Sequence, residues 1–124
     1  VADYRPVHRS ATKIKRKEES LQLELTANPD IAAALGKMKK GGQVLAGFAL
    51  ETDNELAHAQ EKIRKKNFDF IVLNSLRDAG AGFAGDTNKI TLIGKDNKTT
   101  VFELKSKQEV AIDIVRHLSQ LFTA

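Results

Sequence analysis

Residues 43–74 read QVLAGFALETDNELAHAQEKIRKKNFDFIVLN, and this stretch decides the fold. Two apolar runs, Gln43 to Ala49 and Phe68 to Leu73, flank a charged segment. Each run is short and is bounded by Gly, Asn or charge. That is the pattern of a strand buried on both faces. Between them Thr52-x-x-Glu55 forms a capping box, so a helix is expected from there to about Lys66. Strand, helix and strand within about 31 residues make a βαβ unit, right-handed on steric grounds.

Upstream, residues 19–26 (ESLQLELT) alternate Leu21, Leu23 and Leu25 with Gln22 and Glu24. A period of two predicts a half-buried strand at an edge. Asn28-Pro29-Asp30 reads as a helix start. Asn suits the N-cap, Pro the first turn, and Asp the positive end of the dipole. The helix should reach about Lys40 and stop at Gly41-Gly42. Downstream, residues 75–87 are Gly-rich and read as a loop. Asn88 to Ile93 and Thr99 to Leu104 then flank Lys95-Asp96-Asn97-Lys98, a hairpin signal. Ser106-x-x-Glu109 is a second capping box. The helix after it carries Val110, Ile114, Val115, Leu118, Leu121 and Phe122 on one face. The expected fold class is α/β, with a parallel centre and a C-terminal β-hairpin extension.

The chain has 124 residues, about one domain. It lacks Cys, which excludes disulfide scaffolds, Cys-containing zinc sites and thiol nucleophiles. No apolar run approaches the ~20 residues that span a bilayer, and nothing at the start resembles a signal peptide. A cytoplasmic location is expected. The chain opens on Val1-Ala2-Asp3-Tyr4, which reads as the end of a buried strand and so as a fragment of a larger domain.

Twenty Lys and Arg against sixteen Asp and Glu give a formal charge of +4. The excess is local. Residues 8–17 (HRSATKIKRK) hold five cations and no acid, and Lys62 to Lys66 hold four more. Basic clusters seek anions. The segment around Lys13 reads as a loop able to close on phosphates, or plainly as a solvated loop. The helix start at Asn28–Ile31 can meet an anion, or simply cap. Lys62 and Lys66 share one helix face and could clamp a polyphosphate, or only complement the dipole. Ligands of open α/β sheets bind outside the carboxyl ends of the strands. Here those ends offer Phe48 with Glu51, and Asn74 with the loop through Gly82 and Phe83. That loop lacks the GxxxxGK[ST] and GxGxxG patterns. His8, His58 and His117 have no metal-ligand spacing and read as surface or core-edge residues. There is no HExxH and no nucleophile elbow.

In order, VADYR, KIKRK, NPDI, GFALET, Leu73-Asn74 and GAGF–GDTN resemble one family across essentially the whole chain. It is the C-terminal half of bacterial phosphopantothenoylcysteine synthetase, the synthetase part of the bifunctional coenzyme A biosynthesis (DNA/pantothenate metabolism) flavoprotein. The resemblance implies a three-layer Rossmann-like (ribokinase-like) sheet. It implies a ligase that joins 4′-phosphopantothenate to cysteine. CTP activates the carboxylate as an acyl-cytidylate with Mg²⁺ assisting, and the cysteine amine then displaces CMP. It places Lys13 as the catalytic residue. It places Asp3, Asn28, Pro29, Asp30, Ile31, Phe48, Lys62 and Lys66 around the nucleotide, and it gives no metal ligand. It implies a homodimer in the full enzyme and no nucleic-acid or membrane partner.

There are departures from the family. Ser75 stands where the family often has Asp, and Arg16 where it has Lys. The family's Gly-rich N-terminal half and its flavin decarboxylase domain, the seat of FMN, are not in this sequence. The fragment alone is expected to lack full synthetase activity. Two other readings stay open: a basic nucleic-acid-binding domain, and a structural or dimerisation module.

Overall fold

A computed structural model describes residues 2–75 and 85–123, with the side chain of Ser75 outside the description. The elements run β1 (Tyr4–Pro6), β2 (Leu25–Ala27), α1 (Ile31–Met38), β3 (Ala46–Glu51), α2 (Glu55–Lys66), β4 (Phe70–Ser75), β5 (Thr87–Asn88), β6 (Ile90–Gly94), β7 (Thr99–Val101), β8 (Lys105–Ser106) and α3 (Lys107–Thr123). The chain divides into two compact units, Val1–Ile31 and Ala32–Ala124.

In the first unit β1 and β2 pair antiparallel, with Tyr4 opposite Ala27. All three residues of β1 are exposed, so the opening segment is not a buried strand within this chain. The strand expected over residues 19–26 is realised only at Leu25–Ala27. Leu21 and Leu23 lie exposed in irregular chain, because no layer covers that side of the alternation.

In the second unit four strands make a mixed sheet in the order β3-β4-β6-β7. β3 and β4 are parallel, with Phe48 opposite Val72. β4 and β6 are antiparallel, with Ile71 opposite Ile93, and β6 and β7 form the expected hairpin. The parallel pair therefore lies at one side of the described sheet, and the expected parallel centre is corrected. The hairpin turns at Asn97, whose φ of 63° tolerates the left-handed region. Asp96 Oδ1 accepts the Lys98 N–H there. A further two-stranded pair, β5 with β8, was not anticipated.

The period of two along β4 and β6 divides the core. Ile71, Leu73 and Ile93 face α2, where Ala59 and Ile63 meet them together with Phe68 and Ala49. Phe70, Val72, Ile90 and Leu92 face α3, where Val110, Ile114 and Leu118 pack. β4 is thus covered on both faces, as its apolar run predicts. Each fully buried side chain contributes about 1.5–3 kcal/mol.

β3 is not buried on both faces. Gly47 and Ala49 turn inward, whereas Phe48 and Leu50 are exposed. Gly47 is required by close approach, since a Cβ there would lie 2.4 Å from the Phe68 ring. On α3, Val115 and Phe122 are exposed, so the expected apolar face is narrower than its sequence.

The two capping boxes have different fates. Ser106 Oγ accepts the Glu109 N–H at 3.2 Å, and Glu109 Oε2 accepts the Ser106 N–H at 3.0 Å. Thr52-x-x-Glu55 is not formed. The cap of α2 is Asn54, held at φ 44°, ψ 42° with no side-chain cap bond. With Thr52 as cap, Asn54 would be the second helical residue, a place a left-handed backbone cannot fill. α1 likewise begins at Ile31, later than Asn28 predicts.

Candidate functional site

The candidate residues fall on both units. In the first, Asp3 and Asn28 meet although they are far apart in sequence. The Asn28 N–H donates to the Asp3 carbonyl at 2.8 Å, and Asn28 Nδ2 donates to the Ala2 carbonyl at 2.7 Å. Arg5 Nη1 closes the corner, donating to Asn28 Oδ1 at 3.0 Å and to the Ala27 carbonyl at 3.1 Å. Asn28 is therefore a hook between the ends of β1 and β2, rather than the N-cap expected of it. Sequence reasoning missed Arg5, although it sits inside the VADYR motif. Pro29, Asp30 and Ile31 lead directly into α1, and Ile31 is exposed. Lys13 is exposed in the irregular stretch between β1 and β2.

In the second unit the carboxyl end of β3 holds a charged cluster. Phe48 is 70% exposed on the outward face of β3. Glu51, the last residue of the strand, has a side chain only 14% exposed. Its Oε1 accepts Lys62 Nζ at 2.5 Å, and its Oε2 lies 3.4 Å from His58 Nδ1. His58 and Lys62 are four apart on α2 and so share a face. Lys62 thus has a specific carboxylate partner beside its place in the last turns of α2. His58, half exposed, is the surface residue expected of it and lies near the same carboxylate. The available signal was a strand-end Glu followed by His and Lys at helical spacing.

Lys66 closes α2 and is partly buried. Its carbonyl oxygen would lie 1.9 Å from a Cβ built on Gly36. Asn67, left-handed at φ 55°, caps the helix. Its Nδ2 donates to the Gly36 carbonyl, and its own carbonyl accepts Lys39 Nζ at 2.7 Å. Lys39 also pairs with Asp69 at 3.0 Å. These bonds secure the end of α2 away from Glu51.

Asn74 is the penultimate residue of β4, opposite Leu50 in register. Its Oδ1 is buried and has no hydrogen-bond partner among the described residues. A buried unpaired acceptor is costly and calls for a donor from elsewhere. Gly82 and Phe83, the other candidates at this edge, lie outside the described residues. Among the described residues no group of three or more His, Asp or Glu could hold a metal ion. No described helix is long and apolar enough to cross a membrane.

Comparison with known proteins fits this arrangement. The family model described as DNA/pantothenate metabolism flavoprotein C-terminal domain matches residues 1–122. A curated protein from an unknown prokaryotic organism, named cysteine/cysteine sulfinic acid decarboxylase, is 54% identical over 121 residues, which are 98% of this chain and 34% of that protein. The coenzyme A biosynthesis bifunctional protein CoaBC of Bacillus subtilis (strain 168) is 37% identical over 121 residues, 98% of this chain and 30% of that protein. The chain thus spans about a third of the length of these curated relatives. The crystal structure of the C-terminal domain of CoaBC superposes with a TM-score of 0.76 at 32% identity, covering 99% of this chain and 51% of that one. The DNA/pantothenate metabolism flavoprotein from Streptococcus pneumoniae shares the fold, with a TM-score of 0.75 at 21% identity over 98% of this chain and 60% of that one. The resemblance drawn from the motifs is borne out: the chain belongs to the DNA/pantothenate metabolism flavoprotein C-terminal domain family, the family of the C-terminal part of CoaBC.

Proposed function

We propose that this chain is the nucleotide-binding part of a ligase of coenzyme A biosynthesis that joins 4′-phosphopantothenate to cysteine. A carboxylate oxygen of phosphopantothenate attacks the α-phosphorus of CTP, and pyrophosphate leaves. The cysteine amine then attacks the acyl-cytidylate and releases CMP. One observation carries the reading: at the carboxyl end of a parallel strand Glu51 holds Lys62, and Phe48 stands exposed three residues earlier on the same strand, in a chain of this family. An exposed ring offers a stacking surface for a base. Lys62 supplies charge and N–H donors for a phosphate.

Such a reaction asks mainly for positioning and charge neutralisation. Lys13, exposed on its irregular segment, is the residue assigned to the developing charge at the α-phosphate. Asp3, Asn28, Pro29, Asp30 and Ile31 are assigned to the nucleotide, as are Lys62 and Lys66. The donor set suits Mg²⁺ only indirectly, because the described residues offer no carboxylate cluster. The ion, if it assists, would be held mostly by triphosphate oxygens and water. FMN, a homodimeric state, a cytoplasmic location and the absence of nucleic-acid or membrane partners belong to the same proposal for the whole protein.

The test is titration with CTP and with ATP, each with Mg²⁺, followed by amide chemical shifts. CTP should perturb Asn28–Ile31 and Phe48, and ATP should not. In the full-length protein Lys13→Gln should slow pyrophosphate release at least tenfold with the melting temperature retained. Unchanged release would sink the assignment.

The relative with 54% identity supports a second reading. A whole protein that decarboxylates cysteine or cysteine sulfinic acid could carry this domain beside a different chemistry. Release of CO₂ from cysteine sulfinate without CTP, and no CTP-dependent pyrophosphate release, would favour it.

A further inference from the structure

We propose that Glu51 is a positioning residue, whose carboxylate fixes the Lys62 ammonium at the carboxyl end of β3 so that it meets a phosphate already oriented. The proposal rests on the reading that Lys62 takes a nucleotide phosphate.

The geometry has three parts. Glu51 belongs to the sheet: its backbone pairs opposite Ser75, and its side chain is largely buried. Lys62 belongs to the helix, and its side chain is 40% exposed. One residue is therefore anchored by the strand ladder, while the other remains open to solvent. His58 Nδ1 lies 3.4 Å from the second carboxylate oxygen, so Glu51 faces two residues on successive turns of α2. A largely buried carboxylate on a strand is itself restricted, and it restricts the ammonium bonded to it.

A lysine left alone would spread over many rotamers, and a ligand would have to order it on binding. An ammonium has three N–H donors. The Glu51 bond uses one and leaves two to be offered to an anion in a fixed direction. The pair also lowers the net positive charge of the cluster. That loss is small at distance, because exposed cations are screened within about 8–10 Å. Orientation outweighs it, so removing Glu51 should weaken phosphate binding even though the site becomes more positive.

The experiment is a double-mutant cycle in the full-length protein, with CTP as the probe and binding followed by calorimetry. Lys62→Ala should weaken CTP. Glu51→Gln should weaken it about fivefold while Lys62 is present, and should add nothing in the Lys62→Ala background. The KM for CTP should rise accordingly with kcat within twofold, which a merely structural role would not produce. Glu51→Gln with wild-type or tighter affinity overturns the proposal, as does an equal loss in both backgrounds. Failure of the underlying reading looks different: Lys62→Ala itself then leaves CTP affinity unchanged. Should Glu51→Gln not fold, Glu51→Asp keeps the charge and shortens the reach. It should give an intermediate loss that again vanishes without Lys62, and a loss that persists overturns the proposal.

Discussion

Helices α2 and α3 are secured at opposite ends. Both follow a Ser/Thr-x-x-Glu signature, yet only α3 closes its capping box, through Ser106 and Glu109. α2 starts from a left-handed Asn54 without a side-chain cap. It is pinned instead at its other end, where Asn67 bonds to Gly36 and where Gly36 abuts the Lys66 carbonyl. The end of α2 without an Asn54 side-chain cap is the end nearest Glu51 in sequence. A local rule was obeyed at α3 and was broken at α2, beside the candidate site.

The sharpest way to break this contrast is Gly36→Ala. Its Cβ would fall 1.9 Å from a backbone oxygen that cannot swing away. The substitution should destabilise the second unit by about 3 kcal/mol or more, read by urea unfolding. A near-neutral result would mean that α2 is not held at that end.

Ser106→Ala should cost about 1 kcal/mol, whereas Thr52→Ala should stay within about 0.5 kcal/mol. Equal costs would erase the difference between the two helix starts.

The pH dependence adds a finer test. The hydrogen bonds from Ser106 hold the Glu109 carboxyl below the usual carboxylate value. A lowered folded-state pKa contributes stability above the unfolded value, and that stability is lost as pH falls through the folded one. The gap in stability between wild type and Ser106→Ala should therefore be wide at neutral pH and narrow under acid. A constant gap would show that the carboxylate is not coupled to the cap.

The smallest expected effect is at Glu61. The Lys65 hydrogen bond lowers its pKa, but the pair is fully exposed on the surface of α2. Glu61→Gln should leave the melting temperature within error, because such pairs are screened and entropically costly. A clear loss would mean that α2 depends on its surface charges as well as on its pinned end.

The order and type of the main elements were legible in the sequence, because β4, α2 and the hairpin follow from apolar runs, helical spacing and a turn. Burial on the two faces of β3 was not. An apolar run states that a strand can be buried, but only the layers around it decide which face is covered. Hence Phe48, a candidate ligand residue on a strand expected to be buried on both faces, proves exposed. Leu21 and Leu23 fail for the same reason. At the site, Lys62 and Lys66 were visible through spacing, but the grip of Glu51 was not, because it joins a strand end to a helix face through side chains alone. The bond from Asn28 to the Asp3 carbonyl was equally hidden, since it depends on β1 and β2 pairing across a long irregular stretch.

The two outer strands of the sheet carry different risks. β7 is three residues long, mostly Thr, with Lys98 just before it, and such short polar edges resist pairing with other molecules. β3 is six residues long and shows Phe48 and Leu50 on its open face. An edge of that length with apolar side chains is a template for a foreign strand. Solubility of this chain expressed by itself should therefore be limited at β3. The strand whose ring we propose for a ligand is also the first place where unrelated molecules would stick.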